Sequence, residues 1–287
     1  MYFGATTSTP IPALALVLLL CTSYKAHADN FDHSDDPHNI LQIGIAHLGT
    51  AGSSSLLHNE LRPSLGLTAL GVPESFDSPG AGSKVIPAQT LALTMGRIFS
   101  EHWAAELDVG LPPVVKVRGE GMVKAPTRAG PLFNMNLADP AINPLGSARQ
   151  WSPALLLQYR LRGNCRQLCP YLGLGAAYTW FTSSHLSPAF DAQLNNQYGA
   201  SLALAAGKSG PTSTQVRVRP SVSPVFAAGL TSALYGPWGL TVSAAYIPFS
   251  TTATVKINAS DGTTLSTTTA RMKADAFVAA LLLSYGW

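Results

Sequence analysis

The chain has 287 residues, of which 46% are hydrophobic and only 11% are charged, and its formal net charge is +3. Cations form no run along the sequence, so nucleic-acid binding has no support. After residue 28, no segment approaches the roughly 18 apolar residues of a membrane helix. The apolar residues instead occur in short alternating runs between Gly, Pro, Ser and Thr. Because only a closed barrel can otherwise satisfy backbone polar groups in lipid, the composition predicts one membrane β-barrel domain.

Residues 1–28 are predicted to be a signal peptide. An apolar stretch over residues 11–21 is followed by Ala26, His27 and Ala28, a small-x-small cleavage pattern. The mature barrel domain then spans residues 29–287 and is exported. No Lys or Arg precedes the apolar stretch, which leaves the true start codon open.

The first three strands are predicted at residues 40–48, 90–99 and 103–111. Leu41, Ile43 and Ile45 alternate along the first strand and are expected to face lipid. Only residues 100–102 separate the second strand from the third, so these two strands are expected to form a hairpin.

Five further strands complete the barrel. They are predicted at residues 153–162, 171–181, 225–235, 238–248 and 275–287. The last strand places a row of large apolar residues, from Phe277 to Trp287, opposite a row of smaller ones, from Ala276 to Gly286. A terminal aromatic residue that closes such an alternating strand is typical of bacterial outer-membrane barrels.

The connections between these strands alternate in length. Those after the second, fourth and sixth strands are short, and those after the first, third, fifth and seventh are long. This alternation predicts an all-β fold, an eight-stranded antiparallel transmembrane β-barrel with short periplasmic turns and long extracellular loops.

Aromatic residues are predicted to form a girdle at each water interface of the barrel. The girdle at the short-turn end comprises Phe99, Trp103, Tyr235, Trp238, Tyr285 and Trp287. The girdle at the long-loop end comprises Tyr178, Trp180, Phe181, Tyr246 and Phe249.

Cys165 and Cys169 lie in a short connection between two strands and are predicted to form a disulfide, because the periplasm is oxidising. The alternative is a redox or metal-binding pair, but no His or acidic residue lies near it in sequence.

Strand alternation also predicts which side chains line the lumen. They are Glu106, Asp108, Gln158, Arg160, Gly173, Gly175, Thr179, Thr231, Thr241 and Ser243. An eight-stranded barrel is narrow enough to be filled by its own side chains, so small inward residues are expected to leave space. The two carboxylates are expected to pair with Arg160 and so to stabilise the closed barrel, or else to contact a transported solute.

Three stretches resemble the OmpW family of small outer-membrane proteins. Residues 91–107 resemble its second hairpin and residues 151–159 its fourth strand, while residues 169–181 contain the run Pro-Tyr-x-Gly-x-Gly-x-x-Tyr-Thr. The resemblance implies a narrow, mostly apolar interior that passes small hydrophobic molecules across the outer membrane, with a lateral exit into lipid. The expected protein is a passive channel without cofactor or catalytic activity, whose partners are outer-membrane lipid and small hydrophobic solutes, with a monomer favoured.

Two other functions remain open. The long loops, over residues 51–87, 114–150, 182–222 and 251–274, are candidates for an adhesin or receptor surface. Ser184, His185 and Asp191 are candidates for the nucleophile, base and orienting acid of a lipid-modifying hydrolase. The Asp- and His-rich segment at residues 32–38 is interpreted as a solvated tail rather than a metal site.

Overall fold

A computed structural model describes residues 38–52, 54–126, 134–161 and 168–287. The predicted signal peptide lies outside these ranges. Sixteen strands occur in the described part of the chain. They are β1 (Asn39–Ala51), β2 (Ser54–Leu61), β3 (Ser75–Ser78), β4 (Gly82–Ile86), β5 (Ala88–Ile98), β6 (Trp103–Gly110), β7 (Val114–Glu120), β8 (Met122–Val123), β9 (Met135–Asn136), β10 (Gly146–Trp151), β11 (Ala154–Arg160), β12 (Leu168–Leu186), β13 (Ser213–Val218), β14 (Ser221–Tyr235), β15 (Trp238–Asn258) and β16 (Thr264–Gly286).

The described helices are short and lie in the long connections. They are α1 (Leu65–Ala69), α2 (Pro188–Gln193), a π-helical turn (Leu194–Gly199) and α3 (Ala200–Ala205). Ser187 begins α2 because its hydroxyl accepts a hydrogen bond from the Phe190 N–H and Pro188 occupies the first helical turn. No helix within the described ranges is long and apolar enough to span a bilayer.

Eight strands form a closed antiparallel ring. Its order is β1, β5, β6, β11, β12, β14, β15 and β16, and β16 pairs with β1 to close it. The first and last strands join in register from Ile40 opposite Gly286 to Ala51 opposite Asp275. The predicted eight-stranded antiparallel barrel is therefore confirmed.

Side chains alternate across the barrel wall as the period of two requires. Ile43, Ile45, Leu281 and Leu283 are exposed on the outer face, while the neighbouring inward positions, such as Leu282, are buried. The outer face is thus an apolar belt of the kind that contacts lipid.

Three barrel strands continue well beyond their predicted ends. The lengths of β12, β15 and β16 are 19, 21 and 23 residues. Residues 251–274 are therefore not a loop as predicted, because β15 and β16 stay paired from Trp238 opposite Tyr285 to Asn258 opposite Thr264.

The other long connections fold onto these extended strands and form a cap over the long-loop end of the barrel. On one side, β10, β7 and β4 extend the sheet from the upper part of β12. On the other side, β13 pairs with β15, and β2 pairs with both β16 and β3. The predicted loops thus contain strands that continue the barrel wall.

The cap has its own hydrophobic core. Leu67 of α1, Phe190 of α2 and Leu202 of α3 pack with Ile257 and Leu265, which lie on the inward faces of β15 and β16. Leu202 is 1% exposed and Leu265 is 2% exposed. Helices this short are not stable by themselves in water. Burial of apolar surface in the cap therefore stabilises them.

Aromatic side chains form the two predicted girdles, with one correction. Trp238 stacks edge-on against Tyr285 at the short-turn end, with ring centroids 5.0 Å apart, and Tyr246 lies 5.0 Å from Phe277 at the other end. Phe181 and Phe249 do not belong to the outer girdle, because alternation directs both rings into the lumen, where their centroids are 6.2 Å apart.

Candidate functional site in the barrel lumen

A hydrogen-bonded group of side chains fills the lumen towards the short-turn end. Gln42 donates to the Thr241 hydroxyl at 3.1 Å and accepts from Thr94 at 2.8 Å. Thr241 also lies 2.9 Å from both Thr231 and Ser284 through their hydroxyl oxygens. These residues define the floor of the lumen, which joins five barrel strands. Thr231 and Thr241 are among the predicted lumen residues, whereas Gln42, Thr94 and Ser284 are additional.

Gln42 could have been found from the same alternation. It lies between Leu41 and Ile43, which were assigned to lipid, so its side chain must face inward. A polar side chain buried in this position needs hydrogen-bond partners.

Tyr171 is a further lumen residue that was not among the predicted ones. A side chain added at Gly229 would place its Cβ 2.5 Å from the Tyr171 ring. Gly229 therefore accommodates an aromatic ring instead of leaving empty space, which corrects the expectation that every small inward residue widens the lumen. The Tyr171 hydroxyl lies within hydrogen-bonding reach of Ser243.

Above the floor, the lumen contains a cavity of about 250 Å³. Of the predicted lumen residues, Glu106, Asp108, Thr179 and Ser243 line this cavity. Most of its wall is apolar and small. The wall includes Ala46, Ala154, Ala227, Ala245, Ala276 and Ala280.

The two predicted glycines of β12 act mainly on packing. An added Cβ at Gly173 would lie 3.2 Å from the Ala227 Cβ, so a larger residue there would press against Ala227 of the paired strand β14. At Gly175 the added Cβ would lie 2.0 Å from the Leu155 carbonyl oxygen. Gly175 thus permits a close approach of β12 to β11, as glycine does at bends in barrel walls.

The acidic residues of β6 lie beside polar residues of β11. Asp108 is in register with Ala154 and Glu106 with Leu156, so Gln158 follows at the next inward position. Arg160 lies one inward position further, and its Nε donates to the Cys169 sulfur at 3.3 Å. The ion pair with Arg160 stays a prediction. It implies that Glu106→Ala lowers the thermal unfolding temperature of the protein in detergent.

The barrel wall is interrupted between β6 and β11, next to the cavity. The ladder ends where Asp108 is opposite Ala154, and contact resumes where the Gln150 N–H donates to the Pro113 carbonyl at 3.0 Å. Pro112, Pro113 and Pro153 occupy this region and have no N–H to donate. Pro112 and Gln150 both line the cavity, so the interruption, here called the β6–β11 seam, borders it directly.

Cys169 is disulfide-bonded. Cys165 lies outside the described residues, so its pairing with Cys169 stays a prediction.

The candidate hydrolytic residues do not assemble as expected. The His185 Nε2 lies 3.1 Å from the Ser147 hydroxyl, and its Nδ1 lies 2.8 Å from the Ser183 carbonyl. Asp191 instead accepts a hydrogen bond from Asn195 at 3.1 Å. Both ring nitrogens of His185 are therefore engaged without Ser184 or Asp191. Among the described residues, no group of three or more His, Cys, Asp and Glu side chains is arranged to hold a metal.

The closed ring, its apolar outer belt and its girdles define an eight-stranded barrel of the outer-membrane type. The fold is similar to the crystal structure of the outer membrane protein OprG from Pseudomonas aeruginosa, with a TM-score of 0.60 and 20% identity over 87% of this chain and 95% of that one. The solid-state NMR structure of the outer membrane protein AlkL in DMPC bilayers gives a TM-score of 0.48 and 18% identity over 91% and 96% of the two chains.

OprG is an OmpW-type barrel, so the predicted resemblance is confirmed at the level of the fold. No family model and no curated protein sequence matches the chain.

Proposed function

We propose that the protein is a passive channel for small hydrophobic molecules in the bacterial outer membrane, reached through the predicted signal peptide. The observation that carries the proposal is the apolar cavity, which has a hydrogen-bonded floor below it and the β6–β11 seam beside it. The arrangement favours sideways passage over flow along the barrel axis.

The chemistry of the cavity favours apolar solutes. Apart from Glu106, Asp108, Thr179 and Ser243, the wall is mostly apolar, so a polar solute would lose much of its hydration with little replacement. A solute that entered from the cap side would contact this wall and leave through the seam into lipid. The floor residues Gln42 and Thr241 are saturated with each other and with their neighbours, which opposes release into the periplasm.

The two prolines at the end of β6 support an exit at this point. A paired wall would need backbone N–H groups from residues 109–112, and Pro112 has none to donate. Solutes leaving here would enter the apolar part of the membrane without crossing a hydrogen-bonded sheet.

Liposomes containing the purified barrel test this proposal through the transfer rates of a small apolar dye and a sugar of similar size. Faster dye transfer without sugar flux is expected. Equal acceleration of both, or of neither, would sink the hydrophobic-channel proposal and direct attention to the cap as a recognition surface.

A pair of adjacent substitutions separates passage through the lumen from effects on the surrounding lipid. Ala245→Phe adds a ring inside the cavity, whereas Ala244→Phe adds the same ring to the outer face. We expect Ala245→Phe to reduce dye transfer towards the rate of protein-free liposomes and Ala244→Phe to leave it unchanged. Equal rates for the two variants would contradict passage through this cavity.

A further inference from the structure

Five cations gather on the outer face of the cap wall, although they are dispersed along the sequence. They are Arg217, Arg219, Lys256, Arg271 and Lys273, here called the basic face. All five are exposed, and they lie on or next to the paired strands β13, β15 and β16. Acidic residues border this sheet: Asp275 at its lower end hydrogen-bonds Tyr246, and Glu60 lies on the neighbouring β2 at its upper end. Between these two levels, the charged outward residues that the structure describes on β13, β15 and β16 are all cations.

The strand register sets the spacing of the central pair. Thr252 of β15 is opposite Arg271 of β16, and on its other side the Arg219 N–H donates to the Thr252 carbonyl at 3.0 Å. Arg219 and Arg271 therefore flank Thr252 two strand spacings apart, about 10 Å. Arg217 is opposite Thr254 in the next outward row, which repeats the arrangement of a cation beside a hydroxyl group.

The basic face begins just above the outer aromatic girdle. Tyr246 and Phe277 mark that girdle on β15 and β16. Lys273 is four residues and Arg271 six residues beyond Phe277, which is about 13 and 20 Å along a strand. Because barrel strands are tilted by about 40°, both cations lie roughly 10–15 Å above the girdle, at or beyond the level of lipid headgroups.

We propose that the basic face binds the phosphate groups of an anionic glycolipid in the outer leaflet. An anion between Arg219 and Arg271 would be attracted by both guanidinium groups. Arginine guanidinium groups match phosphate oxygens through paired hydrogen bonds, and the hydroxyl of Thr252 supplies a further donor at the centre. The proposal takes from the proposed function only the location in the outer membrane and requires no channel activity.

The opposite cap wall is less favourable for the same ligand. Lys116 and Arg118 of β7 are exposed there, but the neighbouring Lys84 is paired with Glu120 at 2.8 Å. An acidic side chain on that surface would repel phosphate. Binding is therefore assigned to the face centred on Thr252.

The test uses the full mature protein in neutral detergent and two probes, bisphosphorylated lipid A and the same lipid after its phosphates are removed. Arg219→Gln with Arg271→Gln removes the central cations while keeping hydrogen-bonding side chains. We expect this double variant to bind the phosphorylated probe about 30-fold more weakly, as follows from two surface cations. The wild-type protein should bind the dephosphorylated probe as weakly as the variant does.

A second double variant controls for total charge. Arg62→Gln with Lys124→Gln removes two exposed cations that do not belong to the basic face, and it should retain wild-type affinity. An equal loss of affinity in both double variants would overturn the assignment to this face, and equal binding of the two probes would overturn the role of phosphate. Far-UV circular dichroism and the gel mobility of the unheated barrel check that each variant is folded, and neither readout depends on solute transfer.

Discussion

The barrel and its cap are built from the same long strands but have opposite polarity across the wall. In the barrel, outward residues of β15 and β16 such as Leu281 are apolar, and the inward residues at the floor of the lumen, such as Thr241, are polar. In the cap, the outward Lys256 is charged and the inward Ile257 is buried in a hydrophobic core. The outer face is apolar where the barrel contacts lipid and polar where the cap contacts water. The reversal of polarity therefore follows the surrounding solvent.

The difference also predicts how each region fails when it is perturbed. The cap depends on burial of apolar side chains, as soluble proteins do. The floor of the barrel depends on hydrogen bonds among buried polar groups, where the loss of one partner leaves others unsatisfied. Substitutions in the two regions should therefore act independently.

The largest effect is expected in the cap core. Leu202→Ala removes a side chain that is 1% exposed and should destabilise the cap by about 2–5 kcal/mol, through lost burial and a residual cavity. Limited proteolysis of the long connections should become faster while the barrel keeps its gel mobility. The matched control is Leu204→Ala on the same helix, because Leu204 is 81% exposed and should be silent. Barrel unfolding with Leu202→Ala would show that the two regions are one cooperative unit.

A smaller effect is expected at the floor. Thr241→Val keeps the shape of the side chain but removes the hydroxyl shared by Gln42, Thr231 and Ser284. Because its partners are left unsatisfied, the free energy of unfolding should fall by about 1–3 kcal/mol. The thermal unfolding temperature in detergent should fall with it. Thr267→Val on the cap part of β16 is the control, because Thr267 lies outside the floor, and it should not change that temperature. If the two variants unfold alike, the floor contributes nothing to barrel stability.

The smallest effect is a pH dependence confined to the edge of the cap. His58 of β2 lies 2.7 Å from Asp77 of β3, and this hydrogen bond raises the pKa of His58 above its usual value of 6.5. A raised folded-state pKa means that the stabilisation is fully present below pH 6.5 and is lost as the pH rises through the folded-state value. Hydrogen exchange of β2 and β3 should therefore accelerate as the pH rises above 6.5, after correction for intrinsic exchange.

Two controls sharpen that measurement. His58→Gln should abolish the pH dependence of exchange in β2 and β3. The β4–β7 ladder, where Lys84 pairs with Glu120, has no His in that pair and should not change over the same range. Acceleration of equal size in both ladders would exclude titration of His58 as the cause.

The sequence was sufficient to predict the barrel because each strand carries its own evidence. Along Ile40–Leu48 and Phe277–Trp287, the alternation alone indicates that one side of the strand faces lipid. This inference does not require the partner strand to be known. The short turns between strands then determine the neighbours. Closure of the ring follows because its unpaired edges cannot remain in lipid.

The cap could not be predicted in the same way, because its contacts join distant segments. The Arg62 N–H donates to the Leu265 carbonyl, and the buried Phe190 comes from a third connection. Each apolar patch is too short to indicate a core by itself. The basic face is similar: no run of cations exists in the sequence, and pairing of β13, β15 and β16 brings them together. Phe181 and Phe249 were misassigned because both lie near the ends of predicted strands, where an aromatic ring suits the interface, although the alternation directs both rings into the lumen.

The floor of the lumen has a consequence for assembly. Gln42 belongs to the first barrel strand, Ser284 to the last, and their hydrogen bond spans 242 positions of the chain. A partly assembled, open sheet holds these two side chains on opposite margins, so the amide finds all its partners only when the first and last strands meet. The buried amide thus stabilises the closed barrel specifically. Pairing of the first and last strands is therefore a cooperative step and not one more increment in strand-by-strand pairing.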